Sequence, residues 1–396
     1  MGLPGRRLGL HGTHRAYVRI VPGRRTPMVT EEQIREALRG VRDPEIGKPI
    51  EDIGMLQRIE IEDGLVRVHV LLTIEGCPLR DRITTDVTAA VEPVAGVERV
   101  EVSLTPMSDG QRQALVGQLR GAPAGQAPPP SKISFPPETA LIAIASGKGG
   151  VGKSSVAVNL ACVLAAEGAN VGILDADVWG FSVPRMIGAE GKPVGFDNMI
   201  MPLESHGVKV ISMGHFVPEE TPVIWRGPML HKAIEQFLGD VYWGDLDFLL
   251  CDLPPGTGDV SISLASFIPG ASMVVVTTPQ EAARKVAERA GKMAERTNLR
   301  PIGVIENMSY YVCPHCGERE SLFGEGGGRL AAETLAVPLL AQVPLVPALR
   351  EGADAGAPIV LRDPSSPASE ALREAADAIR KATKSKIGKP LSLMAR

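Results

Sequence analysis

Short apolar runs alternate with amphipathic stretches along most of this chain. Runs at Leu141–Ala145, Val171–Leu174, Val208–Met213, Phe248–Cys251, Met273–Thr277, Ile302–Ile305 and Leu340–Val343 have the length and branching of buried strands. Between them, Ser155–Glu167, Pro228–Leu238, Glu281–Arg296 and Ser366–Ala382 carry apolar residues at helical spacing. Continuously apolar strands interleaved with helices predict an α/β fold, a mostly parallel sheet covered on both faces. Ligands of such sheets bind at the carboxyl ends of the strands.

A different pattern precedes it. Thr30-Glu31-Glu32-Gln33 reads as a capping box ahead of Ile34, Ala37, Leu38 and Val41. Leu56–Ile61 and Leu65–Leu72 flank Asp63-Gly64, a two-residue hairpin signal. Val66, Val68 and Val70 alternate with Arg67 and His69, so one face of that strand is buried and the other wet. A helix around Asp81–Val91 and a third strand through Val100, Val102 and Leu104 complete a small α+β domain over 28–107. Residues 108–138, with Gly-Ala-Pro-Ala-Gly-Gln-Ala-Pro-Pro-Pro at 121–130, read as a linker to a second domain over 139–383.

Composition narrows the function. The 396 residues are 44% hydrophobic and 22% charged, so the chain can bury full cores. Aromatics at 4% and a net charge of −4 argue against nucleic acid or an anionic membrane as partner. No apolar run approaches the ~20 residues of a spanning helix, and the expected location is cytoplasmic. Residues 1–27 carry Arg6, Arg7, Arg15, Arg19, Arg24 and Arg25 and no acid. They read as a disordered basic tail or a mis-assigned start, with Met28 the working one. A second basic tail covers 384–396.

Gly147-Lys148-Gly149-Gly150-Val151-Gly152-Lys153-Ser154 matches G-x-x-x-x-G-K-[ST] directly after a strand and at the start of a helix. Its glycines let backbone N–H groups curl around phosphates, and the helix start adds favourable potential. Lys153 is expected to neutralise the β- and γ-phosphates of ATP, and Ser154 to ligate Mg²⁺, with Ser155 continuing the cradle. Asp252 follows the strand Phe248–Cys251 and is placed to act on Mg²⁺ through water; Asp177, after the second strand, is placed to orient the attacking water. Asp175 stands beside it. Leu253-Pro254-Pro255-Gly256-Thr257-Gly258-Asp259 reads as a switch loop near the γ-phosphate.

Lys148 is a second lysine inside the loop. Gly-Lys-Gly-Gly-Val-Gly-Lys-Ser resembles the deviant Walker A motif of the nitrogenase-iron-protein, MinD and ParA class. That resemblance implies a homodimer in which Lys148 reaches the partner's nucleotide. Leu174-Asp175-Ala176-Asp177, Trp225-Arg226-Gly227-Pro228-Met229, Asp252–Asp259, Glu306-Asn307-Met308-Ser309 and Cys313-Pro314-His315-Cys316 together resemble the Mrp/ApbC family of iron–sulfur cluster carrier ATPases. Residues 30–107, with Asp43-Pro44-Glu45 and Glu75-Gly76-Cys77-Pro78, are similar to the small PaaD/SufT-like assembly domain. The family resemblance implies that Asn307 contacts adenine and that Pro344, in the loop Val343–Pro347, borders it. It also implies acceptors that are apo iron–sulfur proteins, and a cluster-assembly scaffold as partner.

Five cysteines are too few and too scattered for a disulfide scaffold. Cys162 and Cys251 lie in apolar runs and read as core. Cys313 and Cys316 supply half of a four-thiolate site. Two copies on a two-fold axis would supply four thiolates for one [4Fe–4S] cluster; zinc or a redox pair are the alternatives, with His315 facing solvent. Cys77 is either a half-buried turn residue or a thiol that meets clusters and partners. The expected function is ATP-dependent cluster transfer with slow hydrolysis. The rival is a MinD/ParA-type positioning ATPase, which has no use for Cys313 and Cys316.

Overall fold

The computed structural model describes residues 29–44, 46–73, 79–119, 133, 135–177, 180–196, 199–216, 227–256, 259–280, 283–313 and 315–384. Expectations for residues 1–27, for Cys77, for the Pro-rich 121–130, for Trp225-Arg226, for Thr257-Gly258 and for the tail from 385 lie outside them. Two compact units divide the chain, one ending at Pro106 and the other beginning at Met107.

In the first unit, α1 (Glu31–Leu38) starts at Thr30, whose hydroxyl accepts from the Gln33 amide while the Gln33 side chain returns to the Thr30 backbone. Strands β1 (Leu56–Glu62) and β2 (Leu65–Leu72) form an antiparallel hairpin. Its turn uses Asp63 at φ 44° and Gly64 at φ 84°, the left-handed pair that a two-residue hairpin demands. After α2 (Arg80–Val91), β3 (Arg99–Pro106) pairs with β2 in parallel. Val66, Val68 and Val70 are buried with Ile83, Val87 and Val91 of α2. This is the α+β pattern expected from the sequence.

The second unit opens with α3 (Asp109–Leu119), a helix within the stretch whose composition reads as linker. The phosphate-loop region follows as β4 (Ala140–Ala145) and α4 (Lys153–Ala166). Next come β5 (Val171–Asp175), α5 (Val183–Ile187), the small hairpin β6 (Val194–Phe196) and β7 (Met199–Met201), then β8 (Leu203–Ser205) and β9 (Val208–Ser212). The chain continues through α6 (Gly227–Gly239), β10 (Phe248–Asp252), α7 (Asp259–Phe267), β11 (Ser272–Thr277) and α8 (Ala283–Thr297). Strand β12 (Arg300–Val312), β13 (Arg319–Glu320), α9 (Gly327–Leu335) and β14 (Leu339–Leu345) lead to α10 (Pro347–Asp354), α11 (Ile359–Arg362) and α12 (Pro367–Lys384).

The main sheet runs β13-β12-β11-β4-β10-β5-β9-β8, with β14 also paired to β12. Every pairing among β4, β5, β9, β10, β11, β12 and β14 is parallel; only β8 and β13 run antiparallel, at the margins. Two apolar clusters cover its faces. One packs α4 and α12 on the sheet, and the other packs residues of α6, α7 and α8. The doubly covered parallel sheet is thus as the apolar runs predict. Strand β12 is the large departure. The apolar run Ile302–Ile305 predicts four residues, and the strand holds 13.

Candidate functional site

β4 lies between β10 and β11, and its carboxyl end delivers Gly147 to the start of α4. The turn is feasible because Gly150 (φ 76°) and Gly152 (φ 79°) take the left-handed conformation that a Cβ disfavours. It encloses a cavity of about 230 Å³, lined by the loop from Lys148 to Ser155 and by Asp177 and Pro255. A larger cavity of about 380 Å³ lies at the amino ends of β4, β10 and β11. That is the wrong end of a parallel sheet for ligand chemistry, and among the described residues no cationic side chain lines it.

Lys153 and Asp252 meet inside the loop, Nζ to Oδ1 at 2.6 Å, with the lysine 6% and the aspartate 0% exposed. Ser154 Oγ donates to Asp252 Oδ2 at 2.5 Å. Asp175, at the end of β5 in register with Asp252, is also fully buried. Its carboxylate accepts from the Asp177 and Val183 amides and the Ser212 hydroxyl. Burial, then the neighbouring charge of Asp252, pushes the Asp175 carboxyl up to about 7. Burial likewise raises Asp252, against the pull of Lys153 and Ser154. Two buried carboxylates thus share one lysine. This excess of negative charge, beside a serine hydroxyl, fits a divalent cation. Among the described residues Ser155 Oγ is buried without a hydrogen-bond partner, as a phosphate-facing hydroxyl would be.

The switch loop is tied to the phosphate loop, since the Gly256 amide donates to the Ser146 carbonyl at 2.9 Å. Lys148 is on the rim, and its ammonium donates to the Gln280 side chain just past β11. Asn307 and Pro344 do not line the phosphate cavity. Asn307 is 2% exposed and donates from Nδ2 to the Val151 carbonyl at 2.9 Å, so it supports the loop from behind. Pro344 is buried in β14, one residue past the register partner of Asn307. An amide found to hold backbone this way is invisible to residue-by-residue reading, because 156 positions separate the partners.

Cys313 and Cys316 occupy the hairpin between β12 and β13, the first half-buried and the second exposed. The turn is closed by the Cys313 amide on the Glu318 carbonyl and the Gly317 amide on the Cys313 carbonyl. The Cys316 backbone N–H, then that of His315 and the Cys316 thiol, hold the Cys313 thiol below the ordinary range. His315 is exposed, as expected. Cys162 and Cys251 are buried, and burial pushes both thiols up to about 12, which makes them inert core. Among the described residues no third cysteine, histidine or carboxylate joins the pair into a fuller ligand set. Glu306 is the residue that sequence reasoning left without a role. It is a carboxylate buried in β12, and its signal was a charge at the end of an apolar strand.

A parallel sheet with a glycine-rich phosphate cradle, lysine and serine on a buried aspartate defines a P-loop NTPase of the α/β class. Residues 138–380 match the ParA family model described as NUBPL iron-transfer P-loop NTPase, and residues 31–104 match an iron–sulfur cluster assembly protein model. The chain belongs to this iron-transfer NTPase family. The iron–sulfur cluster carrier protein of Mycobacterium tuberculosis H37Rv is 51% identical over 356 residues, 87% of this chain and 92% of that protein. That of Bacillus subtilis 168 is 41% identical over 80% of this chain and 89% of its own length. Among solved structures, a nucleotide-binding protein from Archaeoglobus fulgidus in complex with ADP is 38% identical with a TM-score of 0.52. The match covers 59% of this chain and 92% of that one.

Proposed function

We propose that this chain is an ATP-dependent carrier that receives a [4Fe–4S] cluster from an assembly scaffold and delivers it to apo iron–sulfur proteins. The observation that carries it is a pair of free thiols on a hairpin continuous with a strand of the phosphate-loop sheet. The names of its relatives point the same way. Two thiols are half a cluster site, so the cargo would bridge two copies of the chain. The backbone N–H groups of Cys316 and His315 lower the Cys313 thiol, so it gives up its proton to a metal more readily than an ordinary cysteine.

In the phosphate site, backbone N–H groups of 147–155 bind the nucleotide and Lys153 offsets the β- and γ-phosphate charge. Ser154, with Asp252 behind it through water, would hold Mg²⁺, which neutralises phosphate oxygens when bound. Asp177 faces the cavity and orients the attacking water; Lys148 of each copy leaves its Gln280 contact to reach the other copy's nucleotide. Nucleotide state then alters how firmly the four thiolates hold the cargo. Residues 28–107 act as the assembly-type domain and 139–383 as the ATPase. The site of action is cytoplasmic, without membrane or nucleic acid as partner; no helix among the described residues is long and apolar enough to cross a membrane.

Iron and sulfide quantitation after anaerobic reconstitution tests the proposal. Wild type should hold about four irons per dimer, the content of one such cluster, and a Cys313→Ala/Cys316→Ala double variant almost none. Zinc alone in the wild type, or equal iron in both, overturns it.

A further inference from the structure

Strand β12 lies next to β11 on one flank of the sheet and ends at Val312, directly before Cys313, so one element runs from beside the nucleotide loop to the thiols. Two neighbouring residues within it make the attachments. Asn307 holds the Val151 carbonyl, and a Cβ built on Gly152 would lie 2.2 Å from Asn307 Nδ2. The phosphate loop cannot shift at Val151–Gly152 without moving that amide.

Glu306 is 1% exposed and grips the other end of the cysteine segment. One carboxylate oxygen accepts from Ser309 Oγ at 3.0 Å and from Gln342 Nε2 at 2.7 Å; the other accepts from the Gly328 amide. Gly328 sits in the first turn of α9, where the chain leaving the cysteine hairpin enters the helix. That helix start has no slack. A Cβ on Gly327 would lie 2.4 Å from the Pro279 carbonyl, and one on Gly328 would lie 2.5 Å from Glu306 Cβ. The cysteine segment is therefore fastened at both ends by adjacent residues of β12, of which one touches the phosphate loop.

Immediately beyond them the ladder breaks. Met308 has φ 56°, and the β12–β14 register shifts between Asn307 and Tyr311. A left-handed methionine inside a strand is sterically disfavoured and is held there by its surroundings. It marks the point where β12 changes register between its buried half and its outer half, Ser309–Val312.

We propose that Glu306 and Asn307 form a joint that passes nucleotide occupancy of the phosphate loop to the Cys313–Cys316 hairpin. Both are positioning residues. Asn307 follows the Val151 carbonyl as the loop closes on phosphate, and Glu306 carries the movement to the α9 end of the hairpin. This rests on the reading that the loop binds ATP and the hairpin holds the cargo.

The test uses full-length, reduced, cluster-free protein. Alkylation of Cys313 and Cys316 by N-ethylmaleimide is followed by peptide mass spectrometry, with and without saturating Mg²⁺ and a non-hydrolysable ATP analogue. In the wild type the nucleotide should change the rate by about fivefold or more, the lower end of usual coupling between sites. Glu306→Ala should make the rate independent of nucleotide, and Glu306→Gln, which keeps shape and an acceptor for Gly328, should restore the difference. Silent Cys162 and Cys251 report that each variant is folded; if Glu306→Ala fails this control, Gln342→Leu removes one grip from an exposed position and should diminish the response. An unchanged nucleotide response in the folded variants, or none in the wild type at saturation, overturns the joint. Neither result depends on iron, so failure of the cargo reading would appear separately, in the reconstitution experiment.

Discussion

Asp175 and Asp252, both fully buried, share one lysine at the wall of the phosphate cavity, and the burial of Asp175 has a pH signature. Asp175 ionises at about 7 in the folded chain against an ordinary 3.8. Between these values the folded state keeps a proton that the unfolded state has released, so folding is favoured most below the lower one. The contribution of this group is full below pH ~4 and is lost as pH rises through about 7. Thermal unfolding of nucleotide-free protein across pH 4–8 should show this downward component. Asp175→Asn should flatten it, whatever that change does to the overall level. An identical slope in the variant would show that the charge lies elsewhere. Lys153 and Ser154 were legible because phosphate chemistry demands those types at that spacing, and Asp252 as a carboxylate following an apolar strand. The support that Asn307 gives to Val151 was not, since an amide in a strand has no preferred partner until the fold supplies one.

At the scale of elements, the loop and β12 are fitted to each other at Gly152. Gly152→Ala forces a side chain into the left-handed region, at a cost of about 1–2 kcal/mol, and drives it into Asn307 Nδ2 as well. Denaturant unfolding should therefore show a loss exceeding the backbone part alone. Asn307→Ala should cost less stability in the Gly152→Ala background than in the wild type, because there it also relieves the collision; an equal cost in both backgrounds would contradict this contact. The same pair explains why β12 was underestimated. Glu306-Asn307-Met308-Ser309 interrupts the apolar run, and polar residues after Ile305 read as a turn. They continue as strand because Gln342, Gly328 and Val151 satisfy their side chains. The capping box of α1 and the Asp63-Gly64 hairpin, by contrast, are satisfied within four residues and needed no such help.

For the whole molecule, the expected state is a dimer in which Lys148 serves the neighbouring site. Hydrolysis per chain should then rise with protein concentration, in step with light-scattering mass in the presence of a non-hydrolysable analogue. Lys148→Ala should lower kcat by about 10³-fold or more, as for other cations supplied in trans to a phosphoryl transfer, while leaving nucleotide binding to the single chain measurable by fluorescence titration. Concentration-independent turnover would contradict the trans role.

What the amino-acid order determined alone was everything whose physics is local or periodic: the parallel α/β class, the phosphate cradle and the thiol pair. Apolar periodicity, glycine conformations and short ligand spacings act over a few residues, so they can be read along the chain. Only the tertiary structure decided which buried charges face each other and which strand joins the nucleotide loop to the cysteines. Those contacts unite residues about a hundred or more positions apart. Their energies exist only after burial has removed water as the competing partner.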